Sequence, residues 1–227
     1  MTLQIGLAGN DGNIVLASDR RMVEEINDCR AGSDVRKLLV SKDEKVSLCF
    51  AGNELADKVA RDAIATSGDD SSWPMIIKDA IDRHCKGDSG GEITRCSILG
   101  VGHGDLCSFR FTRTGLERFD PKVARAVGGD RGNPAATFFL DRYYNRFALE
   151  DLSIHALKRL ATHSILLGGK LNPAFVEGLD MVVWHRETRK IERIERAEII
   201  EFTKWSDSLD KATNRAFLGG LEIQFTS

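Results

Sequence analysis

No apolar run in this 227-residue chain approaches the ~18 residues that a membrane-spanning helix needs. The opening residues, Thr2-Leu3-Gln4-Ile5-Gly6, carry no charged segment leading into an apolar stretch, so no secretory leader is expected. Basic clusters are missing as well. Thirty-two Lys and Arg against 34 Asp and Glu leave a formal net charge of −2, which gives nucleic acid no electrostatic footprint. Paired cysteines are also lacking: the five present, Cys29, Cys49, Cys85, Cys96 and Cys107, are odd in number and contain no CxxC spacing. Free thiols in a reducing compartment are therefore expected, and with them a soluble, cytoplasmic protein. There is no internal repeat and no low-complexity linker, so residues 1–227 are expected to form a single domain.

The apolar pattern starts at once. Leu3 to Ala8 and Ile14 to Ser18 flank Gly9-Asn10-Asp11-Gly12-Asn13, a turn-rich segment that predicts a β-hairpin. After a polar stretch from Glu24 to Asp34, residues 37–40 and 46–50 flank Lys42-Asp43-Glu44-Lys45 as a second hairpin. The period then turns helical, with Leu55, Val59, Ala63 and Ile64 on one face, and a second helix is expected from Trp73-Pro74 to about His84. Strands are expected at 95–100, 107–112, 115–119, 179–185 and 190–194, and helices at 134–147 and 149–166. Residues from about Trp205 onward fit either a terminal strand or an arm, with Leu221-Glu222-Ile223-Gln224-Phe225 alternating. Strands interleaved with helix pairs imply an α+β fold of mostly antiparallel sheets covered by helices.

Chemistry concentrates near the start. A threonine hydroxyl is a weak nucleophile that needs a base, and the α-amino group of the same residue, with an ordinary pKa of ~7.7–8.0, is the nearest one. Thr2 acquires that group only when Met1 is removed. Downstream come Leu16-Ala17-Ser18-Asp19-Arg20-Arg21 at the end of the second strand, Lys37-Leu38 opening the third, and Ala51-Gly52 closing the fourth before a helix. In this order the residues resemble the proteasome β-type subunits of the N-terminal-nucleophile (Ntn) hydrolase family, and most resemble a bacterial proteasome-related member.

The resemblance implies a four-layer αββα sandwich and a threonine-type peptidase with no cofactor and no metal. Thr2 would be the nucleophile, Lys37 would tune it electrostatically, Asp19 would hold Lys37, and the Gly52 N–H would meet the oxyanion. The family's Gly-Ser-Gly turn falls nearest Gly128-Gly129-Asp130, placing Gly129 and Asp130 beside the nucleophile without the serine hydroxyl. Its later Asp-x-x-Ser-Gly-Gly segment has no clear counterpart between Lys170 and Gly178, where Asn172 would take the acidic position. A substrate pocket would be lined by Met22, Val35, Phe50 and Glu54, with Phe50 narrowing it. Implied partners are further copies of the chain in a double ring, unfolded protein or peptide as substrate, and an ATP-dependent unfoldase.

Other readings are weaker or compete. Gly87-Asp88-Ser89-Gly90-Gly91 looks like a trypsin-type nucleophile loop, but its only upstream histidine, His84, is too close in sequence, so a loop between elements is expected. Gly168-Gly169-Lys170 lacks the residues of a phosphate loop and reads as a helix stop. The histidines show no metal spacing beyond His155 and His163. Competing functions are a non-catalytic scaffold or peptide-binding module of the same fold, and an Ntn amidohydrolase acting on a small amide.

Overall fold

The computed structural model describes residues 2–26, 29–67, 72–85, 95–129, 134–144, 152–174 and 176–218. The first hairpin forms as the sequence predicts, with β1 (Leu3–Ala8) antiparallel to β2 (Ile14–Ser18). Three strands distant in sequence extend it: β10 (Arg125–Gly129) pairs with β1, β11 (Asp180–His185) with β2, and β12 (Lys190–Arg193) with β11. The second sheet runs in chain order through β5 (Leu38–Val40), β6 (Val46–Ala51), β7 (Cys96–Gly102), β8 (Asp105–Thr112) and β9 (Gly115–Asp120). A separate two-stranded ribbon, β3 (Arg21–Ile26) with β4 (Cys29–Asp34), joins the two halves of the site described below.

Side chains that alternate along a strand must find two covered faces when both sets are apolar. On β1, Leu3, Ile5 and Leu7 pack with Leu140 of α3 (Pro134–Tyr143) and with Leu157, Ala161 and Ile165 of α4 (Ile154–Leu171). On β6, Val46, Leu48 and Phe50 pack with Val59 and Ala63 of α1 (Glu54–Thr66) and Trp73 and Ile77 of α2 (Trp73–His84). A third core lies between the sheets, where Ile14 and Leu16 of β2 and Val182 of β11 meet Leu38, Cys49, Leu99 and Val101. Each fully buried leucine or isoleucine contributes about 1.5–3 kcal/mol, so three such cores fix both sheets and their helices.

Local signals set the helix starts. The Asn53 side chain accepts the Leu55 N–H at 3.1 Å to cap α1, and Ser153 accepts the Ala156 N–H at 3.4 Å to cap α4. Four departures from the sequence reading stand out. The polar stretch before Asp34 forms the β3–β4 ribbon, and β10 was not expected. Helix α4 runs through Gly168 and Gly169 to Leu171 instead of stopping there, and the returning chain passes close to the second glycine: a Cβ on Gly169 would lie 3.0 Å from the Val176 carbonyl oxygen. Helix α5 (Arg196–Leu218) replaces the expected strand or arm, docking on α4 through Phe202 and Ser206. Residues 86–94, 145–151 and 221–225, on which other expectations fell, lie outside the described residues. Among the described residues no helix is long and apolar enough to cross a membrane.

Candidate active site

Thr2 precedes the first residue of β1, and the strand's pairing with β2 brings Asp19 alongside it. The Asp19 N–H donates to the Leu3 carbonyl at 3.1 Å, and the Leu3 N–H returns a bond to Asp19 Oδ1 at 2.9 Å. The Arg21 N–H donates to Oδ2 at 3.1 Å. Lys37, one residue before β5, reaches across from the second sheet: its Nζ is 2.8 Å from Thr2 Oγ1 and 2.9 Å from Asp19 Oδ2, and it also donates to the Arg21 carbonyl. Thr2, Asp19 and Lys37 are 7%, 0% and 3% exposed, so the contacts form away from competing water.

Burial pushes the Lys37 ammonium below the usual lysine range, against the attraction of Asp19. Burial likewise pushes the Asp19 carboxyl up, opposed by Lys37 and by the Leu3 and Arg21 N–H groups. Three donors converging on one carboxyl and three acceptors around one amine are the arrangement of an ion pair, and charge satisfies every one of these bonds. Lys37 therefore presents a hydrogen to Thr2 Oγ1 and stabilises negative charge there. The neighbouring Cys49 thiol is fully buried, and that burial pushes it up, which keeps it inert.

Two glycines expected at the site hold positive φ, and in each the surroundings leave little room for a side chain. Gly52 sits between β6 and the Asn53 cap at φ +132°, exposed to solvent, and a Cβ there would lie 2.8 Å from Cys96 Sγ. Gly129, opposite Leu3 in the β1–β10 ladder, has φ +94°, and a Cβ there would lie 1.7 Å from the Thr2 carbonyl oxygen. A serine at position 129 would force the backbone to shift, which gives a physical reason for the missing hydroxyl. Asp130 lies outside the described residues.

The remaining expected residues are spread more widely. Met22 lies on β3 opposite Ser33. Val35 is half-buried, its N–H donating to the Arg20 carbonyl at 2.7 Å. Phe50 is 4% exposed within the core beneath α1 and α2, whereas Glu54 is exposed in the first turn of α1 and pairs with Lys58 at 2.7 Å. Phe50 and Glu54 thus do not share one surface. Asn172 follows the last residue of α4, its N–H bonded to Gly168; the segment beyond it reaches Arg20, whose N–H donates to the Glu177 carbonyl at 2.8 Å.

Two polar residues at the site escaped sequence reading. Ser97 Oγ accepts the Gly129 N–H at 3.0 Å and donates to Gln4 Oε1 at 3.0 Å. The only trace of this in the sequence is a lone polar residue, Gln4, inside the apolar run Leu3 to Ala8.

No family model matches the sequence, and no curated protein matches it. Solved structures do. Anbu (ancestral beta-subunit) from Yersinia bercovieri superposes with a TM-score of 0.66 at 16% identity, over 95% of this chain and 95% of that one. Anbu from Hyphomicrobium sp. strain MC1 gives 0.65 at 18%, over 94% and 97%, and its Gly-1 mutant gives 0.64 at 19%, over 95% and 97%. The chain is thus similar in fold to an ancestral proteasome β-subunit-like protein along nearly its whole length, and its fold is a proteasome-like, mixed α+β one.

Proposed function

We propose that this chain is a threonine-type peptidase subunit whose nucleophile is Thr2, exposed as the N-terminus when Met1 is removed. The observation that carries the reading is the buried contact of Thr2 Oγ1 with Lys37 Nζ at 2.8 Å, with Asp19 2.9 Å beyond. Because all three Lys37 N–H groups already face acceptors, the charged lysine donates and does not accept, and the Thr2 α-amine serves as base. It takes the Oγ proton as Oγ attacks the carbonyl carbon. The Gly52 N–H, with the region of Gly129 and Asp130 flanking, receives the oxyanion. The C–N bond then breaks as the leaving amine takes the proton, and water hydrolyses the ester to restore Thr2.

On this reading residues 1–227 form one domain, a four-layer αββα sandwich in which the three cores lie between successive layers. Copies assemble as a homo-oligomeric double ring in the cytoplasm, enclosing active sites that act on unfolded protein or peptides delivered by an ATP-dependent unfoldase. Met22, Val35 and Glu54 border the side chain before the scissile bond, while Phe50, expected to narrow that pocket, packs instead in the core beneath α1 and α2. No cofactor or metal takes part. The non-catalytic scaffold remains the second reading, favoured by Gly129, where a serine would force the backbone to shift.

Intact mass after incubation with a threonine-directed epoxyketone decides between them. A chain lacking Met1 that gains one inhibitor mass, lost in Thr2→Ala, supports the peptidase. A chain that keeps Met1, or loses it and stays unlabelled, supports the scaffold.

A further inference from the structure

Ser97 belongs to the second sheet but bonds to the first. In the β6–β7 ladder it lies opposite Ala51, the residue before Gly52. Its hydroxyl accepts the N–H of Gly129, which lies opposite Leu3, the residue after Thr2. The same hydroxyl donates to Gln4 Oε1, two residues along β1 from Thr2, and Gln4 is fully buried. One side chain, itself 8% exposed, thus ties the strand pair that presents Thr2 to the strand pair that leads into Gly52.

Besides Ser97 and the Lys37 contacts with Thr2 and Asp19, the sheets meet through apolar side chains such as Leu38, Cys49, Leu99 and Leu16. Apolar contact is non-directional and sets spacing better than register. Hydrogen bonds are directional, and a backbone N–H shielded from water is costly to leave without a partner, so the half-buried Gly129 N–H favours the place where Ser97 accepts it. Another buried hydroxyl in the neighbourhood, Ser18 Oγ, is committed to the Asp19 carbonyl at 3.0 Å. Gln4 Nε2 is buried with no acceptor among the described residues, which leaves Ser97 as the partner that orients this amide.

We propose that Ser97 is a positioning residue for the hydrolytic site: by bonding Gly129 and Gln4 it holds the Thr2 hydroxyl in register with the Gly52 N–H across the two sheets. The proposal rests on the reading of Thr2 as nucleophile and adds to it a residue from outside the strand ends that carry the constellation. A register held this way matters to the rate of bond formation, where nucleophile and oxyanion donor must face one carbonyl, and little to the first encounter with a ligand.

The test is the rate of epoxyketone labelling as a function of inhibitor concentration in wild type, Ser97→Ala and Ser97→Cys, with hydrogen exchange at the Gly129 amide measured on the same samples. Ser97→Ala is expected to slow labelling at saturation by about tenfold, the size of one lost hydrogen bond, with the half-saturating concentration within about twofold of wild type. Exchange at Gly129 should accelerate in parallel. Ser97→Cys keeps the side chain's size with a weaker acceptor and should fall between the two, which preserves the test if Ser97→Ala does not fold. Unchanged saturating rates, or a change confined to the half-saturating concentration, would overturn the proposal. A wild type that takes no label overturns the peptidase reading instead; Gly129 exchange then decides alone, with unaltered protection in the variants overturning the bridge.

Discussion

The Lys37 ammonium stands between two oxygen atoms, Thr2 Oγ1 at 2.8 Å and Asp19 Oδ2 at 2.9 Å, in a site where it is only 3% exposed. Each partner therefore depends on the others for both charge balance and position. Removing one side of such a pair leaves the other buried and uncompensated, at a cost of about 3–5 kcal/mol. Lys37→Met is expected to abolish epoxyketone labelling and to lower unfolding free energy by that amount in urea titrations. Adding Asp19→Asn, which removes the charge but keeps an acceptor oxygen beside the Leu3 and Arg21 N–H groups, should recover much of the stability and none of the labelling. Retained labelling in Lys37→Met would remove Lys37 from the mechanism.

Position 129 separates chemistry from inheritance. The resemblance to proteasome subunits invites restoration of the missing serine, but the backbone here has φ +94° and leaves 1.7 Å between a Cβ and the Thr2 carbonyl oxygen. Gly129→Ser should therefore lose about 2 kcal/mol or more of stability and should label more slowly than wild type, because the clash falls on the nucleophile's own peptide group. Faster labelling in the serine variant would show that this turn rearranges freely.

The contact of Thr2, Asp19 and Lys37 was legible because its members stand at strand ends, where an apolar run begins or stops beside a polar residue: Thr2 before Leu3, Asp19 after Ser18, Lys37 before Leu38. Residues whose roles arise only from packing left little trace. Ser97 is 93 positions from Gln4 and 32 from Gly129, and no local pattern encodes such contacts. Helix α5 was hidden because one of its buried positions is Ser206, a polar residue matched to His163 of α4, so the apolar period breaks at a buried contact. The Gly168-Gly169 pair misled in the opposite sense: the helix runs on through both, and Gly169 leaves room for the neighbouring Val176 segment.

That buried histidine makes the α4–α5 interface sensitive to acid. His163 is 4% exposed, its Nδ1 is 2.8 Å from Ser206 Oγ, and Phe139 packs against its ring. Burial pushes its pKa down, with Asp210 pulling up and Lys170 pushing down further. A histidine depressed in the folded state takes its proton first in the unfolded one, whose value is ~6.5. Its contribution is complete above that pH and is lost as pH falls below it. Between pH 7.5 and 5.5 the Tm of wild type should fall more steeply than that of His163→Gln, and exchange in α5 should accelerate. Parallel Tm curves would show that His163 does not govern the interface.

Gly52 offers a way to separate steric from conformational demands in the proposed oxyanion site. A methyl group at this position meets Cys96 Sγ at 2.8 Å and Cys96 Cα at 3.1 Å, and the residue holds φ +132°, where L side chains rarely settle. Gly52→Ala should thus re-aim the N–H at the end of β6, and losing one oxyanion donor costs about 10²–10³ in rate. Labelling of Thr2 should slow by about that factor. Cys96→Ala, which clears space beneath position 52, should not rescue it, since the backbone angle and the Cys96 main chain remain. If the double variant regains the wild-type rate, crowding by the thiol is the whole constraint, and the positive φ carries no part of the site's construction.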